Sequence, residues 1–133
     1  MAEMSVKDFE ERLNSSECSQ ELRDIVAILR QAARGAGEDV EPRAHSTQGS
    51  GWGITYKRGT RVFCQFDPKP TALHVGADVR GADEAELQKA GRLHRRKNGK
   101  PWVHVEDANA AKKLVPLIHR AYEQAGITIA RHK

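Results

Sequence analysis

The sequence predicts an α+β domain: an N-terminal helix pair, then an antiparallel meander sheet of about four strands packed with two further helices. Three observations carry this. Apolar residues recur at helical spacing near both ends of the chain. Between residues 52 and 77 they alternate instead, as strands do. A length of 133 residues suits one compact domain, so the whole chain reads as one unit, with an acidic helical hairpin over 1–37 and a basic sheet-and-helix body over 43–129.

The first helix begins near Ser5, with Val6, Phe9 and Leu13 on one side and Asp8, Glu10 and Glu11 facing away. Asn14-Ser15-Ser16 breaks it, and Ser19 caps a second helix whose stripe is Leu22, Ile25, Val26, Leu29, Ala32 and Ala33. Gly35 and Gly37 end that helix. Trp52, Ile54 and Tyr56 then share one face of a strand, Arg58-Gly59-Thr60-Arg61 makes a tight connection, and Val62, Cys64 and Phe66 return. Asp67-Pro68-Lys69-Pro70 stops this hairpin, because a proline cannot donate to a ladder.

A third strand over 71–77 points Leu73, Val75 and Ala77 one way and His74 the other. A short helix with Ala85, Leu87 and Ala90 starts at 81–83 and stops at Gly91. The stretch from Gly91 to Lys100 is either a basic β-ribbon turning at Asn98-Gly99 or a loop, and it leads into a strand at 102–105. Asp107 caps the last helix, patterned by Ala111, Leu114, Val115, Ile118, Tyr122 and Ala125. Pro116 is expected to kink or restart it and Gly126 to end it, leaving Ile127-Thr128-Ile129 for a short strand.

Composition narrows the function classes. No apolar run approaches the roughly 18 residues of a membrane-spanning helix, and the N-terminus lacks the basic-then-apolar pattern of a secretory leader. A cytoplasmic protein without membrane contact is expected. Cys18 and Cys64 are too few for a disulfide framework and read as reduced thiols. The six histidines lack the spacing of a metal site, so no metal and no cofactor is expected. There is no Gly-x-Ser-x-Gly elbow and no phosphate loop, and Cys64, inside a strand pattern, reads as a buried structural thiol rather than a nucleophile. Asp67-Pro68-Lys69 has the acid-x-lysine form used by metal-dependent nucleases, but its proline makes it read as a turn.

The formal net charge of +4 conceals a split. Residues 1–41 carry ten acids and five bases, whereas residues 42–133 carry eight acids and seventeen bases. The densest basic run, Lys89, Arg92, Arg95, Arg96, Lys97 and Lys100, contains no acid. Lys57, Arg58 and Arg61 extend it if both turns project from the same edge of the sheet. Such cations neutralise phosphates and release counterions, so nucleic acid or an acidic protein surface is the expected partner of a non-enzymatic binding module. Trp52, Tyr56 and Trp102 would offer stacking surfaces for bases. The alternative is a small-molecule or weakly enzymatic pocket near Trp52, Tyr56, His74, Trp102 and His104, if the strands bearing His74 and His104 are neighbours.

Tyr56, Val62-Phe63, Leu73-His74-Val75, Pro101-Trp102-Val103 and Ala121-Tyr122-Glu123 stand in a pattern that resembles an uncharacterised bacterial domain family loosely labelled a predicted transport protein. That resemblance implies a small α+β fold and carries no catalytic residues with it.

Overall fold

The computed structural model describes residues 2–47, 51–95 and 99–131. In chain order the elements are β1 (Ala2–Met4), α1 (Val6–Leu13), α2 (Gln20–Arg34), β2 (Val40–Thr47), β3 (Gly51–Arg58), β4 (Arg61–Lys69), β5 (His74–Val79), α3 (Glu84–Gln88), β6 (Arg92–Arg95), β7 (Pro101–Val105) and α4 (Ala108–Arg131). The class is α+β as predicted.

Each helix starts where a capping side chain satisfies an orphan backbone N–H. Ser5 accepts from the Asp8 N–H, Ser19 from Leu22 and Asp107 from Ala110. Asp83 and Glu86 form a reciprocal capping box at α3. Arg120 on α4 grips the same Glu86 through both carboxylate oxygens at 2.7 Å, and these hydrogen bonds hold its carboxyl at about 2. The α3 cap is thereby tied to α4.

The strands form one antiparallel sheet in the order β1-β2-β3-β4-β5-β7-β6. This corrects the expected count of about four: six strands have four or more residues, and the three-residue β1 makes a seventh. The ribbon reading of residues 91–100 holds for the described part, where Arg92 to Arg95 pair with His104 to Pro101. The turn residues 96–98 lie outside the described residues, as do 48–50 in the glycine-rich lead into β3.

Register aligns one apolar row across the full width of the sheet: Met4, Ala44, Ile54, Phe66, Ala77, Val103 and Leu93. The helices cover this face, α1 over β2 and β3, α2 and α4 over the centre, and α3 over β6 and β7. A bulge between Tyr56 and Lys57 leaves Phe63 as an extra residue on β4. The expected alternation of Val62, Cys64 and Phe66 therefore breaks. Phe63 and Cys64 are both fully buried, and Phe63 meets the Tyr122 ring of α4 edge-on at 5.6 Å.

Other departures from the sequence reading have local causes. β4 continues through Pro68, which pairs opposite Val75; the β3–β4 ladder closes at Ile54 and Phe66, so Pro68 has a partner strand on one side only. β5 begins at His74, and Leu73, expected on its apolar face, sits instead in the preceding turn at φ 58°, 65% exposed. The helix α4 runs unbroken through Pro116 on its exposed side and through Gly126, so residues 127–129 are helical. Gly126 is not a stop. A Cβ there would collide with the Arg58 guanidinium, which lies against α4 and donates to the Tyr122 carbonyl at 3.1 Å.

Ile54→Ala and Phe66→Ala, at adjacent positions in the central row, should each destabilise the fold by about 2–5 kcal/mol in urea denaturation. Because the two side chains share one contact, the double variant should depart from the sum of the singles by more than about 0.5 kcal/mol.

Candidate functional site

With the helices on one face, the other face of the sheet is polar. Its central row is His45, Gly53, Asp67, Gly76, His104 and Arg92, and its neighbours include Thr55, Gln65, Asp78, Trp102 and His94. One glycine lets a side chain lie flat here: a Cβ on Gly53 would collide with the Asp67 carboxylate, whereas one on Gly76 would only make ordinary contact with the Trp102 indole at 3.5 Å. Asp67 and Trp102 are both buried on a face that no helix covers. Gln65 donates to Asp67 at 3.1 Å and stands 3.1 Å from His45 Nε2, while Asp78 pairs with Arg80 at 3.3 Å.

Three imidazoles form a diagonal column across the outer strands. His104 on β7 stacks on His74 of β5 at 4.0 Å and 15°, and His94 of β6 stacks on the other side at 5.5 Å and 26°. Sequence reasoning paired His74 with His104 on condition that β5 and β7 be neighbours, which they are. It missed His94, whose only signal was its alternation along the ribbon opposite Trp102. Burial lowers the pKa of both His74 and His104; the adjacent imidazoles and Arg92 push His104 further down. Both rings are thus biased toward the neutral form at pH 7. The His104 Nδ1 atom is buried and has no hydrogen-bond partner.

Trp52 and Tyr56 do not join this group. They lie on the covered face, 3% and 0% exposed. Trp52 is held between the Phe9 ring at 5.2 Å and the Arg12 guanidinium at 4.7 Å, and the Tyr56 hydroxyl accepts from Arg30 at 2.8 Å. Alternation along β3 showed that the two share a face, and the burial of α1 and α2 decides which one. Neither offers a surface for stacking a base, and Trp102 is 5% exposed.

The cations differ in exposure and in their partners. Cys64 pairs with Val79 and Ala77 with Val103, so the β3–β4 turn and the start of β7, with Gly99 and Lys100 before it, lie at the same end of the sheet. Exposed Arg61 and Lys100 stand at that end, separated by one intervening strand and so by about 10 Å. Exposed Arg92 lies about 10 Å down the β6 edge from it. Lys57 is half-buried beside the bulge, and Lys89 is exposed just after α3. Arg58 and Arg95 are engaged internally: Arg58 pairs with Asp39 at 2.9 Å and stacks 4.0 Å over Tyr122, and Arg95 pairs with Glu84 and donates to the Gly99 carbonyl. Arg96 and Lys97 lie outside the described residues.

Among the described residues no group of three or more His, Cys, Asp or Glu stands close enough to hold a metal. Cys18 and Cys64 are buried free thiols, and burial pushes the Cys64 thiol well up, away from the reactive thiolate. A cavity of about 180 Å³ lies between the β5–α3 turn and the start of β7, against Arg80 and Lys100. That is below the usual range for small-molecule sites, about 300–1,000 Å³. Among the described residues no helix is long and apolar enough to cross a membrane.

The histidine column has a consequence for stability. Groups whose folded pKa lies below the unfolded value bind fewer protons folded than unfolded, so their contribution is complete above the ordinary value of 6.5 and is lost as pH falls through the folded values. Urea midpoints between about pH 8 and 5 should fall on acidification, and His104→Gln should flatten that slope.

In comparisons with known proteins, no family model, no curated protein and no solved structure matches this chain. The resemblance to an uncharacterised bacterial family gains no support from them.

Proposed function

We propose that this chain is a non-enzymatic binding module that engages a nucleic-acid backbone along one corner of the sheet. The observation that carries the reading is the placement of exposed Arg61 and Lys100 at one end of the sheet and exposed Arg92 on the adjoining edge, bordering a polar face that no helix covers. Arg92 and Arg61 form no ion pair with any described residue, so their charge is available to a partner in a way that Arg58 and Arg95 are not. Cations along a rim suit a partner whose charge repeats along a chain. Buried Trp52 and Tyr56 argue for contact with phosphates rather than stacked bases, and hence for weak dependence on base sequence.

Fluorescence anisotropy with a labelled oligonucleotide tests this. Binding should weaken steeply with salt, and the variant Arg61→Gln/Arg92→Gln/Lys100→Gln should lose about two to three units of the slope of log K against log salt. A wild-type chain that leaves the oligonucleotide free at low salt overturns the proposal. Tighter binding of polyglutamate than of the oligonucleotide would reassign the surface to an acidic protein.

A further inference from the structure

The imidazole column is more than a packing motif. Two rings 4.0 Å apart and nearly parallel cannot both be charged without strong mutual repulsion. Around them stand His94 and Arg92 from β6, Lys69 from β4 and the acid Glu106 beyond β7. The basic groups of that set disfavour a proton on the column, and Glu106 favours one, together with a hydrogen bond between His74 and the Ala72 backbone. The bare backbone of Gly76 separates His104 from Asp67 in the same row. A cationic surround, and two stacked imidazoles that cannot both be charged without repulsion, are together what an incoming anion would relieve.

We propose that His74, His104, Arg92 and Lys69 form a phosphate subsite of the polar face, which takes up a proton from solvent as the anion binds. The inference rests on the nucleic-acid reading above and names where on that surface one phosphate is held. Its chemistry is a linkage. A phosphate beside the column supplies the negative charge that makes a protonated imidazole favourable, and a protonated imidazole in turn strengthens phosphate binding by the same factor. Affinity for a phosphodiester chain should therefore rise as pH falls, by up to about tenfold per pH unit for one linked proton. The same acidification that weakens the free fold would tighten the complex.

Titration calorimetry of the full chain with single-stranded oligothymidylate, in two buffers of different ionisation enthalpy near pH 6.5, counts the protons exchanged. The wild type should take up a substantial fraction of one proton per bound chain. His104→Gln and His74→Gln should each reduce that uptake several-fold while binding persists through Arg61 and Lys100. The two substitutions guard one another, since His74 is half-exposed and its loss opens no core cavity; melting temperatures at pH 8 confirm that each variant is folded. Binding by the wild type with no proton uptake, or uptake unchanged in both folded variants, overturns the subsite and leaves the nucleic-acid reading standing. Absence of binding at every pH overturns both.

Discussion

One-sided burial governs this molecule. A seven-stranded antiparallel sheet presents two faces, and the chain supplies four helices to the same one. The period of two along each strand then forces every second residue into the core and every other one into the polar face. The row from Met4 to Leu93 is the visible result, since all seven strands are aligned so that small or apolar side chains meet under the helices. A slip of one residue in any strand would exchange its two faces. The histidine column exists because that alignment is fixed, and so does the separation of Trp52 and Tyr56 from Trp102.

The same alignment explains which parts of the fold were legible. Helix starts depend on a residue and its neighbours three positions on, and Ser5, Ser19 and Asp107 announced them. The hairpin of β3 and β4 carried its own alternation. β2 did not, because its covered-face positions are Val40, Pro42, Ala44 and Ser46, a weak apolar signal interrupted by a proline. Pro42 is tolerated where β2 has only β3 beside it, beyond the reach of β1. β1 has no local signal at all, since three residues become a strand only by pairing with β2. Gly126 misled for a different reason. It answers to Arg58, nearly seventy positions earlier in the chain, and no rule confined to neighbours in sequence can see that.

The site was legible to the extent that it follows from strand order. Placing His74 opposite the apolar face of its strand and His104 beside Trp102 required only alternation. Bringing the two together required β5 next to β7, a pairing that skips α3 and β6. The basic run was visible as composition, but which of its cations pair with acids brought from other elements was not. Arg58 and Arg95 look like their neighbours in sequence, and they differ because Asp39 and Glu84 arrive from other elements. Formal charge therefore overstates what this surface can offer a partner.

The sheet ends at β6, a four-residue strand with no neighbour beyond it among the described strands. An open strand edge is a template onto which a second chain can add by backbone pairing, and proteins guard such edges with charge and brevity. β6 has both, with Arg92 and Arg95 among its four positions. Arg92 and Arg95 thus place positive charge along the open edge, which disfavours pairing with a further strand. Neutralising them would lower that barrier to edge-to-edge association, which gives the basic edge a role apart from any ligand.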